Sequence, residues 1–460
     1  MNDFDVLVLG GGGAGLAAAV GAARCGARTL LVERGGSLGG MASAALVHSI
    51  CGLYRLPVSE AGALSAAAFA NPGFATEFAL RLMAFGSAGR PGGAGAGSGV
   101  GLGAVRMGRV DVLLQHPTDF ARAADAVVLE TPNLELRLHS ELIALGNGFR
   151  KARVWSRGRE ETLAVRAVVD ASGDAVAASL GGAPCEQESS GQLQRPAFIF
   201  ALHGVDPKAL EDDGRLRIAR RVATAVQSGR LPAGALGASV RSSGRGGEAF
   251  ITIDLEAPGY DPLDALCLTS LEIQGRALAG QLAEFLRLSV PGFESSFIGA
   301  FPSRVGVRES RRMVGQYRLD GADLERGTRF ADEVALATWP MELRETHRGP
   351  RLRYPVDGQP CGIPLRALRG RDHENLFAAG RCMSCSHEAQ ASIRVIGTCL
   401  ATGEAAGIGA ALFTLQGSVD AAAVRAMQES QAAAAQAAAA HVEAQAGSGA
   451  GGEISGGRAR

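Results

Sequence analysis

The chain opens on a change of hydrophobic period. Asp5-Val-Leu-Val-Leu is a short continuous apolar run, the pattern of a strand buried on both faces. Glycines follow, and then small apolar residues from Leu16 to Cys25, which predict a closely packed helix. Thr29 to Val32 is apolar again and ends at Glu33. Phe149–Val154 and Thr162–Val169 alternate or run apolar on either side of Arg157-Gly-Arg, which predicts an antiparallel meander leading into a buried strand that ends at Asp170. Ala197–His203 and Glu248–Leu255 read as strands and Pro262–Leu288 as a long helix. The segment from Gly306 through Arg312 reads as a strand-to-helix passage. Asn375-Leu-Phe-Ala-Ala is a short strand closing on Gly380, and a helix is expected from Thr398, with Gly403 and Gly407 on one smooth face.

The stretches between these elements differ in kind. Ser87 to Gly103 is rich in Gly, Ala and Ser and reads as a flexible loop or surface insertion. Ala421 to Ala446 favours helix through its alanines but offers few large apolar residues, and the Gly-Ser-rich end reads as disordered. With 460 residues, the chain is long enough for two or three structural units. Its 64 glycines suit many tight turns and close backbone contacts. A formal charge of zero with scattered basic residues argues against nucleic acid or an anionic membrane as partner. Val6 to Ala23 is uncharged and long enough to mimic a signal or membrane segment, but Asp3 and Asp5 precede it and its glycines cluster at one turn. No membrane span is expected. The eight cysteines show no compact disulfide spacing, so reduced thiols and a cytoplasmic location are expected.

The first strand, turn and helix also carry chemistry. Gly10, Gly12 and Gly15 have the spacing GxGxxG, with Gly13 and Ala14 inside it. In a dinucleotide site the first glycine permits the turn, the second lets the backbone approach a pyrophosphate, and the third lets helix and strand pack closely. The helix N-terminus adds unpaired N–H groups and the positive end of its dipole. Glu33 stands where an acid meets an unphosphorylated ribose. Arg34 follows, and Gly39, Gly40 and Met41 come where a loop must pass close to an extended cofactor.

Taken together, this opening, Leu38-Gly-Gly-Met-Ala, Val168-Val-Asp-Ala-Ser-Gly-Asp, Gly306-Val-Arg-Glu-Ser-Arg-Arg, and Ala378-Ala-Gly-Arg-Cys through Ala405 resemble the FAD-dependent oxidoreductases related to the fumarate reductase flavoproteins. The resemblance implies FAD as cofactor. It also implies an α/β fold in which a Rossmann-like FAD-binding domain is discontinuous and carries an inserted α+β substrate domain. The expected division is 1–85 and 104–195 for the first two FAD segments, with 86–103 as the loop between them. The substrate domain spans 196–302, the FAD return segment 303–416, and the helix and tail 417–460. Ala171, Ser172, Gly173 and Asp174 border the cofactor in such relatives. Gly380 and Arg381 correspond to a late ribitol or pyrophosphate segment, and Thr398 opens the helix whose N–H groups face the flavin pyrimidine ring.

FAD can accept a hydride, so the protein must hold the substrate and take a proton. His387 matches a position near the flavin in relatives and is either a base or a loop-holding hydrogen-bond partner. Arg394 either holds a substrate carboxylate, counters charge on reduced flavin, or makes a structural ion pair. Arg308, Arg311 and Arg312 offer one substrate-facing cation or ordinary paired charges, and His48, Cys51 and Tyr54 form a second polar group. Cys382 and Cys385 form a CxxC without a second such pair, which favours a thiol packed near flavin over a working dithiol or a metal, and no metal site is expected. No second strand-linked GxGxxG follows, so no separate NAD(P)H domain is expected. The reading is an enzyme that oxidises or reduces a small molecule by hydride transfer, with its electron partner unassigned. The alternatives are a flavin monooxygenase or an FAD-binding subunit that works only with a partner protein.

Overall fold

The computed structural model describes residues 3–57, 59–60, 63–85, 103–346 and 349–449. The loop expected at 87–103 and the Gly-Ser-rich end lie almost wholly outside these residues.

The apolar runs become the middle of a 7-stranded sheet. β1 (Asp3–Leu9) pairs in parallel with β2 (Thr29–Val32), and β3 (Leu134–Arg137) continues the parallel set beyond β2. Val6, Leu7 and Val8 are fully buried, which is why this strand shows no polar alternation. β4 (Glu141–Gly146), β5 (Lys151–Ser156) and the front of β6 (Arg159–Asp170) form the meander. Arg157 and Gly158 make its tight turn, both at positive φ (47° and 90°), as a primed hairpin turn requires. The back half of β6 then pairs in parallel with β1 on one side and with the short strand at Leu376–Ala378 on the other. Leu9, Val32, Asp170 and Ala378 therefore finish at one edge of the sheet.

Helices α1 (Gly13–Arg24), α2 (Phe74–Ala84) and α3 (Pro117–Glu130) belong to the same core. The long helix near the end of the chain runs over Ile396–Gln416, beginning two residues before the expected Thr398. Among the described residues it is the one helix long and apolar enough to cross a membrane, but 89% of that window is buried inside the protein, so it is a core helix. Its glycines explain how it packs. A Cβ on Gly403 would lie 2.1 Å from the Ala14 carbonyl oxygen and one on Gly407 2.0 Å from that of Ala18. The two helices thus touch backbone to backbone. The alanine-rich helix Ala421–Gly449 is also seated, with Val424 fully buried and Gln431 donating to the Gly21 carbonyl at 3.1 Å.

Residues 197–300 form a second, 4-stranded antiparallel sheet. In spatial order its strands are β8 (Ser239–Ser242), β9 (Glu248–Asp254), β7 (Ala197–His203) and β10 (Phe297–Ala300). Alternation divides its faces. Phe198, Phe200, Leu202, Ile251 and Ile253 pack with the helices Gly214–Gln227 and Ala265–Ser289. Ile199, Ala201 and Phe250 face the other way and meet Leu46 and Val47.

One expected element is absent. The passage from Gly306 to Arg312 is neither a strand of useful length nor a helix: Gly306 makes an isolated antiparallel bridge to Ala197, Arg312–Met313 pairs with Cys185–Glu186, and the next helix is Gly321–Arg326. Charge is the reason. Arg312 is fully buried and donates to Glu309 and Glu188, both at 2.8 Å, so side-chain ion pairs hold this passage where ladder hydrogen bonds were expected.

Candidate functional site

The loops leaving the common sheet edge border one open cleft of about 1320 Å³, counting the space continuous with solvent. Its lining includes Gly10, Gly12, Gly13 and Ala14, then Glu33 and Arg34, then Gly39, Gly40 and Met41. Ala171 to Asp174, Gly380, Arg381 and Arg394 complete much of the remainder. This is the crevice that an open parallel sheet leaves beyond its carboxyl ends.

The glycine turn is built by backbone contact. Gly10 has φ +98°, and a Cβ on Gly15 would fall 1.7 Å from the Gly10 carbonyl oxygen. Around Gly12 the situation is opposite: a Cβ there would meet only Gly40 Cα, at 3.9 Å. That space is a cradle, and no side chain caps the first turn of α1 behind it, so the helix end is free to meet an anion. Glu33, nearly buried, accepts from the backbone N–H groups of Gly11 and Gly35, both at 2.7 Å. It ties the turn to the end of β2 while remaining in the cleft wall. Gly39 N–H donates to Gly11 at 2.8 Å, which brings the second glycine pair over the first.

Arg304 also lines this region, and no motif pointed to it. Its buried Nε has no partner, and its guanidinium reaches within 3.5 Å of where a Gly40 Cβ would be. Burial pushes its pKa down despite Glu33 nearby, so an anion in the cradle would relieve it. The cradle, the uncapped helix end and this unsatisfied cation together fit a pyrophosphate.

Asp170 serves the loop itself. It is fully buried and accepts from Ser172 Oγ at 2.6 Å and Ala178 N–H at 2.9 Å, with burial raising its pKa. Arg381, which lines the cleft, donates to the Val307 carbonyl and lies 3.5 Å from Asp174. The buried thiol of Cys382 receives the Gly173 N–H at 3.0 Å, and burial raises its pKa well above the ordinary value. Both Cys382 and Cys385 are buried and unbridged, the condition of packed thiols.

Thr398 sits fully buried in the first turn of the Ile396–Gln416 helix, with an unpartnered Oγ1 and no place in the cleft lining. The Gly397 N–H beside it donates to the Cys51 carbonyl at 2.9 Å, which fixes the 48–54 segment against this helix end. Arg394 does line the cleft. It donates to Gln194 Oε1 and to the Glu342 carbonyl, both at 3.2 Å, yet its Nε is unpartnered. Burial pushes its pKa down to about 10 against the pull of Glu342.

The histidines separate by environment. His48 is buried and stacks on Phe250 at 4.7 Å. Its Nδ1 lies 3.3 Å from the Leu46 carbonyl, which can only accept, so the proton belongs on Nδ1 and the lone pair on the unpartnered Nε2. Burial, with Arg241 nearby, lowers its pKa to about 4 and keeps the ring neutral.

His387 is different and is corrected as a base. Its Nδ1 is 2.8 Å from Glu309 and its Nε2 3.2 Å from Glu345, and it is not among the residues lining the cleft. Burial opposes the charge, but the two carboxylates outweigh it and raise the pKa to about 9. At neutral pH both ring nitrogens carry protons, leaving no lone pair. Arg308 is corrected likewise: it pairs with Asp254 at 2.6 Å and lies outside the lining, while Arg311 donates to the Asp174 carbonyl.

His387 gives a pH prediction. A pKa raised from 6.5 stabilises the fold fully below 6.5, and that contribution is lost as pH rises through about 9. Chemical denaturation from pH 6 to 10 is expected to show a decline across this window that His387→Gln flattens. An unchanged slope in the variant would remove the ion-pair assignment.

A family model described as FAD dependent oxidoreductase matches residues 5–434. No curated protein matches the chain. Among solved structures, p-nitrophenol 4-monooxygenase PnpA from Pseudomonas putida DLL-E4 is similar at 11% identity, covering 93% of this chain and 84% of that one, with a TM-score of 0.41. A geranylgeranyl bacteriochlorophyll reductase-like protein from Thermoplasma acidophilum is similar at 13% identity, covering 93% and 83%, with a TM-score of 0.42. Likenesses this loose carry no argument about substrate.

Proposed function

Because this chain belongs to the FAD-dependent oxidoreductase family and is an enzyme with FAD as its cofactor, we propose that it oxidises or reduces a small organic molecule by hydride transfer, using the residues assembled around the cleft. The narrower kinship with fumarate reductase flavoproteins rests on the motifs spread from the first strand through Ala405 taken together and is part of this reading. FAD supplies the two-electron chemistry when bound. Gly12, Gly13 and Ala14 with Arg304 hold its pyrophosphate, Glu33 its ribose, and Gly39 to Met41 and Ala171 to Asp174 flank its length.

The observation that carries the reading is the cleft itself, which runs continuously from Glu33 and Arg34 past the Gly12 cradle to Arg394, Ile396 and Cys399. Beyond Ile396 the Gly397 N–H donates to the Cys51 carbonyl, which ties the 48–54 segment to this helix end, and Leu46 and Val47 before it pack on the Phe250 face of the second sheet. Residues 197–300 thus supply the substrate side. His48, which like His387 lies outside the cleft lining, is the proposed proton acceptor, since it alone of the two has a lone pair, on Nε2, fixed by its partner. Arg394 counters negative charge at the same end.

Protein reconstituted with FAD and challenged anaerobically with metabolite pools is expected to bleach with at least one pool. His48→Phe keeps the stack on Phe250, binds FAD normally and loses about 100-fold in the rate of bleaching, as removal of a general base does. A chain that takes up no FAD would end the cofactor assignment. Normal uptake with an unchanged rate in His48→Phe would end the role of His48.

A further inference from the structure

Arg304 reaches the phosphate cradle from a short strap, Ser303 to Gly306, that follows β10 at the edge of the second sheet. The strap lies outside every helix and every strand ladder, so its position depends on what it is tied to. Three ties hold it. The Ser303 N–H donates to the Ala44 carbonyl at 2.8 Å, and the Ala44 N–H in turn donates to the Gly40 carbonyl at 2.8 Å, which links the strap to the turn over the cradle. Gly306 and Ala197, at the start of β7, exchange both backbone hydrogen bonds, at 2.7 and 2.9 Å. Between them the Val305 N–H donates to Glu272 Oε1, the one tie made by a side chain.

Glu272 belongs to the helix Ala265–Ser289, which shows two faces. Leu271, Leu278 and Leu282 pack into the core of the second sheet. Leu268 and Glu272, four residues apart and therefore on one side of the helix, line the cleft with Arg304 and Val305. An anionic side chain in the wall of a cleft built for a diphosphate works against the ligand unless it serves another purpose. Its other contact, Arg276 at 3.4 Å, is a half-exposed pair of small worth. Val305 is buried, so its N–H would have no water to replace the carboxylate.

We infer that Glu272 is the positioning residue for Arg304: by holding the Val305 N–H it fixes the strap, so that the long helix of the second sheet completes the diphosphate site built on the first. The inference rests on the proposed function for the role of Arg304, and it adds what keeps that arginine in place. Displacing the helix would weaken the cofactor, and losing the cofactor would loosen the helix by the same free energy.

The test reads FAD by fluorescence titration of the full chain, and ADP and adenosine by displacement of FAD. Arg304→Met should weaken FAD and ADP at least about tenfold, the loss of a charge-assisted hydrogen bond, and leave adenosine unchanged. Glu272→Leu should weaken ADP by a similar factor, yet by less than about twofold in a chain already carrying Arg304→Met, because a residue that acts through Arg304 then has nothing left to position. Glu272→Gln, whose amide oxygen still accepts the Val305 N–H, should bind ADP as the native chain does. Glu272→Asp keeps the charge but is one methylene short; it should fall between, and it stands in for the leucine variant should that one not fold. Tighter ADP binding in Glu272→Gln would make Glu272 a repulsive wall and overturn the inference. An additive loss in the double variant, or native ADP affinity in both Glu272→Leu and Glu272→Asp, would overturn it too. In each of those cases FAD uptake by the native chain leaves the cofactor site standing, whereas a native chain that binds neither FAD nor ADP ends that site and the inference with it.

Discussion

Gly15→Val is expected to yield protein that retains no measurable FAD, with affinity reduced at least about 1000-fold, or roughly 4 kcal/mol. A Cβ at this position would stand 1.7 Å from the Gly10 carbonyl oxygen, and the next nearest atom is the Gly10 carbonyl carbon at 2.9 Å. Neither can swing aside as a flexible side chain would, so α1 must move off the end of β1. That movement takes the Gly12 cradle and the helix end away from each other, and the site for the pyrophosphate disappears. Gly26→Ala is the control. Gly26 also has positive φ, +88°, but nothing lies within 4 Å of its Cβ position, so only conformational strain of about 1–2 kcal/mol is expected, with FAD retained. Fluorescence titration of both variants with FAD checks the contrast; equal affinities would show that backbone approach at the turn is not what shapes the site.

The second large effect concerns the helix pair. Gly403→Ala and Gly407→Ala should each cost more than about 3 kcal/mol, because each places a methyl group inside a carbonyl of α1, and only separation of the helices relieves it. The double variant should cost clearly less than the sum, since the first substitution already forces the helices apart. Gly280→Ala is the counterpart within a helix. Its Cβ position is empty within 4 Å, so alanine should stabilise by up to about 1 kcal/mol through helix propensity. Urea unfolding of the four proteins decides the matter, and additive losses would mean that the two glycines pack independently.

How much of this was legible in the sequence depended on whether a feature was local. The strand Thr29–Val32 has the bounds its apolar run implied, and the meander turn at Arg157–Gly158 was marked by its own glycine. The small-residue face at Gly403 and Gly407 could be read as a packing surface, although its partner helix could not be named. What escaped was set by contacts between distant segments. His387 was placed near the flavin as a possible base, but Glu309 and Glu345 come to it from 78 and 42 residues away and make it a cation. Arg308 looked available until Asp254 met it, and Arg304 belongs to no motif at all. Its importance lies in a missing partner, which no spacing encodes.

The pairing of α1 with the Ile396–Gln416 helix has a consequence for synthesis as well as for stability. The cradle is written at the start of the chain, yet the helix that packs on it and the Leu376–Ala378 strand beside β6 are written near residue 400. At about 5–20 residues per second, a ribosome needs roughly 20 to 80 s between completing Gly15 and completing the segment that buries it. Throughout that interval the Ala14–Ala18 face of α1 that meets this helix has no lasting cover, so the nascent chain is open to aggregation and to chaperones. Ribosome-stalled chains ending before residue 396 should not capture FAD, and cofactor supplied during translation should have nothing to bind until the last helix of the core has emerged.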